Sequence, residues 1–461
     1  MRFVAFLVFS ALATSLCSLE DDVRSCPPVP NFARFFPEVP PLGRKLRVAC
    51  PCIGIDGCGH ALQSMGCPTQ VFNAYDLEPS YFHALQKHFR DMGMEVIDLH
   101  LGKKLGNLVN VALNTLRKPI DFVISGPPCP PWSGQGKRKG CNDDRAKVFM
   151  AVVCWIVFLI SCGGLLGCVL ENVVGMTHET TDGREPPSTV LLRALRNLCP
   201  EFHWRLDKLD LTKYMLPQTR ARIFFRGMRK TLAACVPPPL KEFGSRTLRE
   251  ALGRSPNMIR SALTPDQQMN VRYFENEIKA KFAEGKFGSG DLVVCRIDRS
   301  NEPNIVYEAG FTLNNAPTLT CHSTYLAVLS VSCVVGDVED DQRDFFRFLT
   351  KPERLALQGF PPELSMDLPE EKICFASGNA YPIPLIIAVL HPMLMTIASC
   401  EQLDFPSWPA ADDITEVTEA SVVKQVRKTF ADKGKIVNKK KHNEAKQRIR
   451  RKKKRHRSSS S

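Results

Sequence analysis

The sequence predicts an α/β protein: a doubly wound, mostly parallel sheet with an inserted smaller lobe. Three observations carry this. Short apolar runs at 46–50, 120–124 and 166–170 are bounded by glycine, proline or charged residues, as strands buried on both faces are. The first run opens into a glycine-rich turn and a helical stretch, 54–62, the strand–turn–helix unit of such sheets. From about Met228 that alternation stops. Pro237-Pro238-Pro239, a charged helical stretch at 266–284 and a Gly-rich 285–290 follow instead. With 461 residues the chain can hold a sizeable core and a second lobe. Its 44% hydrophobic and 24% charged content is that of a soluble globular protein rather than a disordered or fibrous one.

In chain order, 1–18 reads as a signal-like or targeting leader: Arg2, the apolar run Phe3 to Leu16, then small residues. The run is short for a membrane span. A mis-assigned start codon is the other reading. Residues 19–45 form a proline-rich linker without periodicity, and Leu46 to Cys50 is the first strand. The turn Gly54-Ile55-Asp56-Gly57 lets a ligand approach the backbone at a helix N-terminus, although glycines also make ordinary turns. Asp56 suits the helix N-cap. A carboxylate aimed at an anionic ligand there would instead weaken binding. The next strand, Gln70 to Tyr75, ends in Asp76-Leu77-Glu78-Pro79. A carboxylate so placed can accept both hydroxyls of a ribose, or simply cap the following helix. Asp98 ends the strand-like 95–97.

The strand 120–124 delivers Gly126-Pro127-Pro128-Cys129-Pro130-Pro131. Each proline fixes its own φ and extends the residue before it, so Cys129 sits on a stiff loop at a strand's carboxyl end. A merely rigid turn is the bland alternative. From Val148 to Leu170 the chain is uncharged and long enough to cross a membrane. The Gly163-Gly164 break divides it into a buried helix, 147–161, and a central strand, 166–170, that delivers Glu171. Gln218, Arg220 and Arg222 alternate along a stretch leading into Ile223-Phe224-Phe225 and would share one strand face. Thr350 to Arg354 opens a helix that ends in Gln358-Gly359-Phe360-Pro361, and Gly378-Asn379-Ala380 begins the last helix, 382–398.

Taken together, Pro-Pro-Cys at 127–129, Glu171-Asn172-Val173, Gln218 to Arg222, Gln358 to Pro361 and Gly378 to Ala380 resemble the DNA cytosine-5 methyltransferase family over roughly residues 46 to 395. The resemblance implies a Rossmann-like fold dependent on S-adenosyl-L-methionine. It divides the chain into a catalytic domain at 46–227 and 316–400 and a target-recognition lobe at 228–315. It implies catalytic roles for Cys129, Glu171, Arg220 and Arg222. Cofactor contacts are implied at Gly54, Ile55, Gly57, Asp76, Leu77, Asp98, Pro128 and Asn379. The chain departs from the family at Cys52, where an aromatic is usual, at Asp56, where a glycine is usual, and at Tyr381, where a small aliphatic is usual.

Cytosine C5 is too weak a nucleophile to take a methyl group unaided. A thiolate adding at C6 turns the ring into an enamine that can. The cationic stretch Lys137-Arg138-Lys139 would favour that thiolate. A carboxyl protonated by burial, Glu171, would meet N3 and N4 of the ring. Guanidinium forks at Arg220 and Arg222 would hold Glu171, the ring O2 or a phosphate. The expected substrate is double-stranded DNA with the target base flipped out. Transfer RNA is the alternative substrate, and an inactive DNA-binding relative the alternative function.

The 18 cysteines show no metal-ligand spacing and read as reduced, and no metal site is expected. Between Lys424 and Arg457 stand 17 Lys/Arg against two acids, so the tail 401–461 supplies the basic character of a chain whose net charge is +13. It reads as disordered, phosphate-binding or nuclear-localising. The expected location is the nucleus, with an organelle or the secretory pathway as the alternative from the leader. No integral membrane segment is expected, and a monomer is the default.

Overall fold

A computed structural model of the chain describes residues 22–426, apart from 112–119, 130, 133–142, 180–184, 254–262, 298–310, 322–324, 337–345 and 401–423. The leader 1–18, the cationic stretch 137–139 and all of the basic tail after Val426 lie outside the described residues.

The main sheet is built from β1 (Leu46–Pro51), β2 (Thr69–Asp76), β3 (Glu95–Val96), β4 (Leu99–Leu101), β5 (Phe122–Ser125), β6 (Gly167–Val173), β7 (Phe202–Asp210) and β8 (Ala221–Arg229). Its order is β3-β2-β1-β5-β6-β8-β7, with β4 also beside β2. Every pairing is parallel except those of β8, which runs antiparallel to both neighbours. Alternate strand residues go to opposite faces. Val48, Val71 and Ile124 enter one core with α1 (Gly57–Ser64), α2 (Phe82–Asp91) and the last helix. Ala49, Val123 and Cys168 enter the other with α3 (Ala146–Ser161) and α4 (Pro187–Leu198). Both faces are therefore covered, which is why the interior strands carry almost no polar side chains. Strand order reverses between β1 and β5, and the carboxyl ends of those strands open a crevice there.

The proline-rich stretch is more than a linker. Phe32, Phe36 and Val39 are buried in the main core, and the His391 ring nitrogen Nε2 lies 2.7 Å from the Pro37 carbonyl oxygen. Each buried phenylalanine is worth about 1.5–3 kcal/mol, enough to fix an irregular strap against the helices. Arg44 and Arg47 add charged bonds of 2.7 Å to Asp121, which is wholly buried at the foot of β5.

The lobe also differs from expectation. Helix α5 (Pro265–Ala283) packs on a four-stranded antiparallel sheet of β9 (Leu292–Arg296), β10 (Phe311–Leu313), β11 (Leu326–Ser330) and β12 (Phe346–Phe348), ordered β10-β9-β11-β12. The chain does return to the main domain at 316, where Thr219 N–H donates to the Ala316 carbonyl at 2.8 Å. It then re-enters the lobe, because β11 completes the small sheet between β9 and β12. The lobe thus continues past 315, and the main domain resumes at α6 (Lys351–Ala356), opened by a Thr350–Glu353 capping box. Helices α7 (Glu370–Asn379) and α8 (Ile383–Ala398) close the chain against the sheet. Gly378 and Asn379 end α7 rather than begin α8.

The apolar stretch at 148–170 is α3 and β6, both buried. Among the described residues, the run Glu371–Ala398 is the one long and apolar enough to cross a membrane by length and composition, and 78% of its most apolar window is buried inside the fold.

Candidate active site

The crevice is a cleft of about 660 Å³ lined by the ends of β1, β2, β5 and β6, by 318–321 and by the end of α7. Strand β5 carries the chain to Pro127, Pro128 and Cys129, all on the cleft wall. The Ser125 hydroxyl donates to the Pro51 carbonyl at 2.6 Å, and the Asn172 amide nitrogen to that of Pro127 at 3.3 Å. Beyond Cys129 the Trp132 N–H closes back onto the Cys129 carbonyl at 2.9 Å, and its indole is buried edge-on against Phe149. The loop is therefore braced on both sides of a half-buried thiol.

Glu171 reaches the same cleft from β6. Its Oε1 lies 2.7 Å from Nε of Arg222, on the neighbouring antiparallel strand β8. Both side chains are about nine-tenths buried. Gly126 is required beside them, since a Cβ there would stand 2.7 Å from the Tyr381 ring and 3.2 Å from Glu171 Oε2. Burial pushes the Glu171 carboxyl above the ordinary range, against the pull of Arg222 and Arg220. Burial also raises the Cys129 thiol, with Arg222 and Arg220 opposing and Glu171 reinforcing. The pre-formed thiolate expected from 137–139 thus rests on residues outside those described, while burial and Glu171 hold the thiol up.

Gln218, Arg220 and Arg222 do not share a strand face. β8 begins only at Ala221, and the first two residues are spent before it. Arg220 is buried and donates to the carbonyls of Leu319, Gly378 and Ala380 at 2.7, 3.1 and 2.5 Å. It joins the return at 316–320 to the end of α7, and Arg222 alone makes a hydrogen-bonded pair with Glu171. Gln218 Nε2 donates to the Leu357 carbonyl at 3.3 Å, and Gln358 Nε2 to Gln218 Oε1 at 3.2 Å, so two separate sequence motifs meet in one buried bond.

At the other end, Asp76 closes β2 with its carboxylate in the cleft. Oδ2 accepts from Gly54 N–H at 2.9 Å and Oδ1 from Glu78 N–H at 3.0 Å. Burial raises this carboxyl while those N–H groups lower it, and the balance is upward. Leu77 and Phe375 offer apolar faces, 44% and 39% exposed. Gly54 (φ 57°) has nothing within 4 Å of where a Cβ would point. The buried Tyr81 hydroxyl has no hydrogen-bond partner among the described residues. A braced carboxylate for a diol, open backbone and apolar walls fit an adenosine-bearing cofactor, with Asn379 and Pro128 on the same walls.

Three expected contacts fall elsewhere. Ile55 is buried in the core. Gly57 packs against Tyr381, whose ring would lie 2.9 Å from an added Cβ. Asp98 is not among the residues that line the cleft, and its charge adds to burial in raising the Tyr75 hydroxyl to about 12. Asp56 is settled as a helix cap: Oδ1 accepts from Gly59 N–H at 2.9 Å, Oδ2 faces His88 at 3.2 Å, and the side chain is wholly buried away from the cleft. Reading by motif misses Arg145, held by Asp143 at 2.7 and 2.9 Å, and Tyr75, Tyr81, Leu108 and Phe375. The Asp143-Asp144-Arg145 run after the cysteine loop was the one available signal, and the aromatic and aliphatic residues had none.

A family model described as C-5 cytosine-specific DNA methylase matches residues 52–394. The type II methyltransferase M.MthTI of Methanothermobacter thermautotrophicus is 26% identical over 292 residues, 60% of this chain and 82% of that protein. M.HaeII of Haemophilus aegyptius, also a type II methyltransferase, is 25% identical over 345 residues, 75% of this chain and 91% of its own. A solved methyltransferase of Entamoeba histolytica superposes with a TM-score of 0.46 at 14% identity, covering 76% of this chain and 98% of that one, too loosely to carry an argument.

Proposed function

The chain belongs to the C-5 cytosine-specific DNA methylase family, enzymes that methylate C5 of cytosine in DNA with S-adenosyl-L-methionine, and on that premise we propose how its own residues divide the work. Cys129 adds through its thiolate to C6 of the cytosine, C5 gains the methyl group, and loss of the C5 proton to water then breaks the C6–S bond and releases the thiolate. Glu171, lifted toward its protonated form by burial, donates to N3 and takes up the charge that develops there as sulfur adds. Arg222 orients Glu171 through the 2.7 Å pair and faces the ring O2. Arg220 acts at one remove: its three carbonyl bonds keep 319–320 and 378–380 in register with the cleft. Asp76 would take the ribose hydroxyls, Gly54 would admit the cofactor to the backbone, and Leu77 and Phe375 would flank its adenine. When bound, S-adenosylmethionine supplies the electrophilic methyl.

The observation that carries this reading is that Cys129 and the Glu171–Arg222 pair open into the same cleft as Asp76 and Gly54. Cys129 is half-buried, so the target base enters flipped out of the duplex rather than in place. We take the substrate to be double-stranded DNA, the working unit a monomer and the tail a nuclear address.

Label transfer from tritiated S-adenosylmethionine, offered DNA and RNA side by side, tests the reading. Label on cytosine C5 of DNA is expected, and its loss in Cys129→Ser. Label in RNA alone would move the substrate. A protein that binds the cofactor and DNA yet labels neither would be an inactive relative.

A further inference from the structure

β1 ends and α1 begins around a pair of buried thiols that the reaction above leaves unused. Cys50 Sγ lies 2.8 Å from Cys58 Sγ, and both side chains are excluded from solvent. The intervening loop, 51–57, is the one whose Gly54 opens onto the cofactor end of the cleft. It is tightly wound: Cys52, Gly54 and Asp56 have φ of 59°, 57° and 59°. That is left-handed backbone, which residues with a Cβ adopt at a cost. Its shape is held by a few bonds: Ile53 N–H to the Tyr75 carbonyl at 3.0 Å, Gly54 N–H to Asp76 at 2.9 Å and the Asp56 cap. A covalent link at its base would hold the same shape.

We propose that Cys50 and Cys58 are an oxidisable pair whose disulfide staples the base of the cofactor loop. With hydrogen peroxide as oxidant, one thiol attacks the O–O bond, giving a sulfenic acid and one water. The second thiol then displaces the sulfenic hydroxyl, forming the S–S bond and a second water. Two thiol protons and two electrons thus go to the peroxide and nothing is left over. The hydrogen bond from Cys58 lowers the Cys50 thiol most, but burial and Asp56 together outweigh it, and burial lifts Cys58 with the Cys50 hydrogen bond and Asp56 adding to it. Thiolate is scarce at neutral pH, so the pair oxidises slowly there and faster as pH rises. The same burial shields the finished bond from reductants. Closing so short a loop removes freedom mainly from states in which it is loosened, so the oxidised loop meets its ligand pre-organised.

Half-buried Cys52 is the rival partner in the crosslink. A metal ion is the rival occupant, because one ligand atom from each of Cys50, Asp56 and Cys58 lies within 4.8 Å of the others. The experiment uses the full chain, titrated with hydrogen peroxide at pH 7 and pH 9. The protein is then alkylated in denaturant and digested without reduction for mass spectrometry, beside a metal analysis of the untreated protein. A Cys50–Cys58 linked peptide, two hydrogens lighter than the dithiol and formed faster at pH 9, is expected. The oxidised protein should melt a few degrees higher and bind S-adenosylmethionine several-fold tighter. Cys58→Ala should abolish these changes while Cys52→Ala keeps them. A link to Cys52, both thiols still alkylatable after peroxide, or one metal per chain overturns the proposal. So does a mapped link that moves neither melting nor affinity. The affinity arm alone rests on the cofactor reading. A protein that binds no S-adenosylmethionine in either form contradicts that reading, and mapping and melting still decide the staple.

Discussion

The side chains assigned to the chemistry, Cys129, Glu171 and Arg222, stand close enough to act on one another. The Cys129 thiol is lifted by burial and by Glu171 and pulled back by Arg222 and Arg220. Only the thiolate reacts, so reactivity is lost as pH falls through the raised value and gained as it rises. Iodoacetamide labelling, followed at the Cys129 peptide, should half-saturate in rate above the ordinary thiol value of about 8.5. Arg222→Gln should move that profile to higher pH and Glu171→Gln to lower pH. A profile centred below 8 in the wild type would assign the activation to residues 137–139 instead. Glu171→Gln should also cut the transfer rate on the order of 10²-fold, as loss of one aimed proton donor does. Asp56 shows where a sequence reading stops. Its identity as a cap was legible, but its direction was not, because His88, thirty-two residues on, decides it. Asp56→Gly should cost on the order of 1–3 kcal/mol through the orphaned His88 and lost cap. Cofactor affinity should fall no more than a few-fold, through the loosened loop rather than a lost contact, as melting and calorimetric titration would show.

Among the elements, the interior strands were legible because burial on both faces leaves a plain apolar run, and β1, β2, β5 and β6 fall within a few residues of where that pattern places them. What failed was anything set by distant partners. Arg220 alternates with Arg222 in sequence, yet its side chain is claimed by carbonyls about 100 and 160 residues away. β11 and β12 belong to the lobe because of strand pairing, which no local pattern announces. The strap at 32–39 looked featureless since its phenylalanines have no period. One link between elements matters for the cofactor end. Lys372 of α7 bonds Glu78, just past β2, at 2.8 Å, joining the wall that carries Phe375 to the one that carries Asp76. The pair is partly exposed and worth at most about 1 kcal/mol. Lys372→Met should therefore raise KM for S-adenosylmethionine a few-fold and leave kcat nearly unchanged. A fall in kcat at constant KM would place the pair in the chemistry instead.

At the scale of the molecule, charge and catalysis occupy different parts of the chain. The residues assigned to catalysis sit in a cleft between strand ends and the lobe-side return, while all of the excess positive charge lies after Val426. Val426 itself is fully buried in the core beneath α3, so a cut just after it spares the fold. That truncated protein should lose most of the salt dependence of DNA binding, since each phosphate contact contributes about 0.9 to the slope of log K against log salt. Turnover on a short saturating oligonucleotide should persist; an unchanged slope would put the basic surface on the lobes. The central claim, that Cys129 bonds covalently to the cytosine it methylates, is tested most directly with a duplex bearing 5-fluorocytosine. There the adduct cannot resolve, because fluorine cannot leave C5 as a proton does. With S-adenosylmethionine present, the account predicts a denaturant-stable protein–DNA complex whose crosslinked peptide contains Cys129 and which Cys129→Ser does not form. A complex mapped to another residue, or label transfer to unmodified duplex with no complex on the fluorinated one, would contradict it.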